Sequence, residues 1–124
     1  MLTRGIRGAI TVDNNTVEDI EKATVELIRS IISKNEIKTE DISHVIFTLT
    51  SDLNAAFPAK FARTNFDWDF VPMMCFNELD IKNSLSMCLR ILIVVNTEKS
   101  QKEIHHVYLR GAQKLRPDLN IKNG

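Results

Sequence analysis

The chain has 124 residues, enough for one domain with a real core and short for two. Apolar residues make up 44% and charged residues 26%, which excludes a disordered chain. Basic and acidic residues balance at 16 each, so no global field recruits nucleic acid or an anionic membrane, and any bound anion must be met locally.

Ile6 to Val12 alternate, with Ile6, Gly8, Ile10 and Val12 on one face and Arg7, Ala9 and Thr11 on the other, which predicts a strand. Asp13-Asn14-Asn15 is a turn cluster, and Thr16 with Asp19 forms a capping pair that opens a helix. Ile20, Ala23, Leu27, Ile28 and Ile31 share one face of that helix, which extends to about Lys34. Thr39-Glu40-Asp41 reads as a turn before a second strand, the β-branched run Val45 to Thr50. Pro58 suits the first turn of a short helix ending near Asn65. Phe70 to Cys75 reads as a third strand, and Pro72 places it at an edge or an irregularity. Cys88 to Asn96, apolar on both faces, predicts a central strand covered on both sides. Glu103 to Arg110 reads as a short helix.

This order predicts a single α/β (α+β) domain over residues 1–124, a mixed sheet packed with helices and without internal repeats. A loosely ordered polar tail is expected from about Pro117. Arg4, Arg7 and two glycines within the first ten residues leave no room for the apolar stretch of a secretory signal. The apolar run Ile91 to Val95 falls far below the roughly 20 residues of a membrane helix, so a cytoplasmic protein is expected. Cys75 and Cys88 lack CxxC spacing and read as free thiols. His44, His105 and His106 lack ligand spacing, and glycine-rich phosphate loops are absent, so neither a metal nor a nucleotide cofactor is expected.

Arg90 stands inside Met87 to Val95, and a guanidinium there cannot shed its charge. It needs an anion, either a structural carboxylate or a ligand. Arg7 interrupts the first strand between Gly5 and Gly8, where the backbone permits close approach; a solvated Arg7 is the alternative reading. Two arginines on two strands suit a small ligand carrying carboxylates or phosphates. Glu78 follows a strand end, where loops commonly present functional groups, although a lone loop glutamate is usually just solvated. Tyr108, one helical turn after Ile104, places its ring in a core and its hydroxyl near a polar partner.

Four segments together, RGIRGAITV, FPAKFAR from Phe57 to Arg63, CLRILIVVNT and HVYLRGAQKLRPDL from His106 to Leu119, resemble the AroH-class chorismate mutases over nearly the whole chain. The resemblance implies a homotrimeric pseudo-barrel of α/β subunits, with interfacial clefts in which chorismate rearranges to prephenate as part of aromatic amino-acid biosynthesis. It implies that one subunit supplies Arg7, the segment Met74, Cys75, Phe76, Asn77 and Glu78, and also Arg90 and Tyr108. The neighbour would supply Phe57, Ala59, Lys60 and Arg63, with Leu115 and Arg116 leading into a covering tail. Met74 departs from the pattern, which commonly has threonine there; a backbone contact survives that change and a hydroxyl contact does not.

By the same resemblance, Arg90 answers charge on the breaking ether bond, Arg7 and Tyr108 hold the side-chain carboxylate region, and Glu78 and Cys75 hold the ring hydroxyl. No cofactor or metal enters. The competing readings are an imine deaminase, another small trimer with an arginine that binds a carboxylate, and a binding module that keeps the pocket without turnover.

Overall fold

The computed structural model describes residues 1–115; Arg116 and the tail expected from Pro117 onward lie outside them. Five strands and two helices follow one another as β1 (Leu2–Thr11), α1 (Val17–Asn35), β2 (Ile42–Leu49), α2 (Pro58–Phe66), β3 (Met73–Asn77), β4 (Cys88–Thr97) and β5 (Val107–Leu109). Short 3-10 turns occupy Thr39–Asp41, Gln101–Glu103 and Arg110–Lys114. The sheet runs in the order β3-β2-β4-β1-β5. β4 pairs antiparallel with both β1 and β2, while β3 and β5 add in parallel to β2 and β1.

Helix α1 begins where its sequence predicts. Thr16 Oγ1 accepts from the Asp19 backbone N–H at 3.1 Å, satisfying one of the donors that a helix start leaves free. Ile20, Ala23, Leu27, Ile28 and Ile31 are fully buried against Ile6, Ile10, Ile91 and Ile93 of the sheet. Gly8 sets how close the helix comes, because a Cβ there would lie 2.7 Å from Ile31 Cδ1 and 3.1 Å from Leu27 Cδ1. Phe61, Ala62 and Trp68 extend the same core.

The central position of β4 agrees with its apolar sequence, but its expected double cover is not present within one chain. Leu89, Ile91, Ile93 and Val95 are buried beneath the helices, whereas Arg90, Leu92 and Val94 are half-buried on the other face. The core helices pack on one side, leaving Met74 60% and Phe76 47% exposed on the opposite side. The third strand lies at the sheet edge, as Pro72 suggested, but begins at Met73.

The helix predicted over Glu103 to Arg110 does not form. A 3-10 turn ends at Glu103, and Val107, Tyr108 and Leu109 pair with Gly8, Ala9 and Ile10 as β5. The cause is tertiary. The far edge of β1 offers unpaired backbone groups, and the Asn35 side chain draws the approaching segment in by donating to His105 O and accepting from His105 N, both at 2.8 Å. These contacts outweigh a helix too short to be stable alone.

Candidate active site

Strand registry builds the site. Phe76, Thr48, Arg90, Ala9 and Tyr108 lie in one row across all five strands, on the sheet face opposite α1. Arg7 occupies the same face one row away, opposite Leu92. Its backbone N–H donates to His106 Nδ1 at 2.9 Å, while its side chain is exposed.

Glu78 follows β3 directly, and its backbone N–H donates to Leu49 O at 2.8 Å, which keeps it beside β2. Its Oε2 accepts from the Thr48 hydroxyl and lies 3.4 Å from Arg90 Nε, with both charged side chains about one-quarter exposed. The Arg90–Glu78 contact pairs two charges without hydrogen-bond geometry, so the buried Nε remains unsatisfied as a donor. Tyr108, packed with Ala9, Cys88 and Ala112, likewise buries a hydroxyl without a partner. Among the described residues only three buried side-chain nitrogen or oxygen atoms lack a partner, and two of them flank Ala9 in this row. Since native interiors rarely leave such groups unpaired, the pair marks a place for an acceptor.

The segment between Glu78 and β4 is clamped at its far end. The Asp52 carboxylate accepts from Met87 N at 3.2 and 3.0 Å, and Thr50 Oγ1 accepts from Cys88 N at 3.0 Å. Burial pushes the Cys88 thiol above its ordinary pKa, against the opposing effect of the Arg90 charge. Leu115 packs against the cluster of Ala9, Cys88, Tyr108 and Ala112.

Phe57, Ala59, Lys60 and Arg63 form a separate group at the start of α2. Pro58 occupies the first turn, Ala59 is buried, Lys60 and Arg63 are exposed, and Phe57 is 71% exposed. Cys75 joins this second group. Its strand position turns the side chain toward the helix side of the sheet, where a cavity of about 440 Å³ is lined by Leu53, Phe57, Cys75, Phe76 and Asn77. Burial raises the Cys75 thiol pKa, opposed by the Ala59 backbone and the Arg63 charge. Met74 and Phe76 project from the open face, in register with Ile46 and Thr48.

The expected residues thus fall into two incomplete groups: Arg7, Glu78, Arg90, Tyr108 and Leu115 around the open sheet face, and Phe57, Ala59, Lys60, Arg63 and Cys75 around α2. Arg116 lies outside the described residues. Thr48 was missed by sequence reasoning, because only the β2–β4 register shows that its hydroxyl stands beside Arg90. A depression of about 930 Å³ follows the exposed side of α1 and contains none of these residues. Among the described residues there is no cluster of metal-binding side chains, and no helix is long and apolar enough to cross a membrane.

The family model for chorismate mutase type I matches residues 3–119. The chain is 42% identical over 121 residues to the chorismate mutase AroH of Bacillus subtilis (strain 168), covering 98% of this chain and 95% of that one. It is 44% identical over 119 residues to the chorismate mutase AroH of Thermus thermophilus, covering 95% and 97%. A solved chorismate mutase from Clostridium thermocellum superposes with a TM-score of 0.87 at 46% identity, covering 90% of this chain and 98% of that one. The chain therefore shares its fold with a solved chorismate mutase, and it belongs to the type I chorismate mutase family.

Proposed function

We propose that this chain isomerises chorismate to prephenate, as a single catalytic domain, in a cleft completed by a second copy of itself. The observation that carries the reading is the pair of unsatisfied buried donors, Arg90 Nε and Tyr108 Oη, in one row of the sheet with the Glu78 carboxylate beside Arg90. Neighbouring strands lie about 4.8 Å apart, so Arg90 and Tyr108 stand about 10 Å apart across Ala9. That spacing suits a small ring acid with several oxygen acceptors.

Chorismate is a dianion with an enolpyruvyl ether, and its rearrangement breaks a C–O bond as a C–C bond forms within one molecule. No nucleophile and no proton transfer are required. The protein must hold the side chain folded over the ring, a positioning effect of about 7–11 kcal/mol in favourable intramolecular cases. It must also answer negative charge growing on the ether oxygen. Arg90 cannot deprotonate, and its donors act in a partly buried site where they are worth more than in water.

In this reading Arg7 and Tyr108 hold the side-chain carboxylate region, and Glu78 accepts from the ring hydroxyl while balancing Arg90. Phe57, Ala59, Lys60 and Arg63 come from a neighbouring chain, because within one chain they sit at the start of α2, on the helix side of the sheet. A closed homotrimer with three equivalent clefts satisfies both groups. Water-soluble chorismate and prephenate suit a cytoplasmic enzyme of aromatic amino-acid biosynthesis. Incubating the purified protein with chorismate tests the proposal: loss of chorismate absorbance with formation of prephenate supports it. Binding without turnover, or ammonia release from an imine instead, overturns it.

A further inference from the structure

We propose that Thr48 is a positioning residue for this reaction, holding Glu78 so that it balances Arg90 without capturing the guanidinium. The inference rests on the assignment of Glu78 and Arg90 to the chorismate cleft. Glu78 is tied to β2 at two points by consecutive residues: its backbone N–H donates to Leu49 O at 2.8 Å, and its Oε2 accepts from Thr48 Oγ1 at 2.5 Å. Thr48 stands directly opposite Arg90 in the β2–β4 register. The same Oε2 is 3.4 Å from Arg90 Nε but outside hydrogen-bond geometry, and both of these carboxylate contacts fall on this one oxygen.

A free glutamate beside an arginine tends to close a two-point fork, occupying two guanidinium donors. Here the hydroxyl competes for the carboxylate and prevents that fork. Two consequences follow for catalysis. The Arg90 donors remain available for the ether oxygen, and Oε1 remains available to accept from the ring hydroxyl. The backbone does not need this hydroxyl, because valine has the same branched shape and an equal or better preference for a strand. The oxygen of Thr48 is therefore separable from its role in the fold.

The test compares Thr48→Val, Thr48→Ser and the unchanged chain in steady-state conversion of chorismate. Thr48→Val is expected to lower kcat about tenfold, the effect of one hydrogen bond to a charged group, with the melting temperature held within about 2 °C. Thr48→Ser retains the oxygen and is expected to stay within about twofold of the unchanged chain. In a Glu78→Ala background, adding Thr48→Val is expected to change kcat/KM less than about twofold, because the hydroxyl then has nothing to hold. Full turnover by Thr48→Val, an equal loss in Thr48→Ser, or an undiminished loss in the Glu78→Ala background would each overturn the positioning role. If the unchanged chain forms no prephenate, the functional reading fails and takes this proposal with it. If the unchanged chain is active and Thr48→Val matches it, only the positioning role fails.

Discussion

Arg90 Nε lies 3.4 Å from Glu78 Oε2, a charge contact that leaves the buried donor without a hydrogen bond. An arginine satisfied by its counterion would be structural. One held by the charge but not by the donors is prepared for another acceptor, and this difference underlies the first prediction.

Arg90→Lys preserves the charge and loses the planar fork. Turnover of chorismate is expected to fall by about 100-fold or more, the range seen when one donor to a developing oxyanion is removed. The melting temperature should change by only a few degrees, because Arg90 is not part of the buried helix-facing core. Steady-state kinetics and thermal unfolding measured on the same preparation separate the two effects, and unchanged turnover would remove Arg90 from the mechanism.

Shared clefts predict complementation between inactive chains. Arg90→Ala damages the open-face group and Arg63→Ala the α2 group, so each variant alone should be strongly impaired. Co-refolded mixtures should regain activity, since some clefts then receive Arg90 from one chain and Arg63 from the other. Light scattering coupled to size exclusion should give a mass of three chains, and a monomer with full activity would defeat the shared-cleft arrangement.

Gly8→Ala tests the helix–sheet approach. The added methyl would stand 2.7 Å from Ile31 Cδ1 and 3.1 Å from both Leu27 Cδ1 and Ile91 Cγ2. Overpacking of this kind costs about 1–3 kcal/mol. Urea denaturation should show the midpoint falling with an unchanged slope; an unaltered midpoint would mean that α1 yields freely.

The two thiols give a pH prediction. Burial raises both Cys75 and Cys88 above the ordinary thiol value, so the unfolded chain releases these protons first as pH rises. Their contribution to stability is complete below the unfolded value of about 8.5 and declines as pH climbs from there through the folded values. Denaturation midpoints measured from pH 7 to pH 10 should fall over that window, and less so in a Cys88→Ser variant. At pH 7 iodoacetamide should modify the native thiols much more slowly than the unfolded ones, because the thiolate is the reactive form. Rapid native modification of Cys88 would contradict its burial.

Much of the fold was legible because local signals agreed with their surroundings. Thr16, the 3.6-residue stripe from Ile20 to Ile31, Pro58 and the apolar run of β4 each specify an element through short-range chemistry, and each element forms within a few residues of its expected bounds. The segment from Glu103 to Arg110 failed for the opposite reason. Its spacing fitted a helix, while the edge of β1 and the Asn35 amide, distant in sequence, drew it into a strand. Candidate residues were legible where they broke a pattern, as Arg90 does within apolar β4. Thr48 breaks no pattern, so its contact with Glu78 was invisible before the strands were paired.

Composition, periodicity and matched segments are properties of the chain alone, and they already specify which residues must be buried, which charges could not be neutralised, and which family the chain resembles. Tertiary structure decided which of those residues meet. Strand register placed Thr48, Arg90, Ala9 and Tyr108 in one row, and the alternation of side chains along β3 turned Cys75 away from Glu78. A strand has two faces and several possible neighbours, so only pairing selects the partners that share a face.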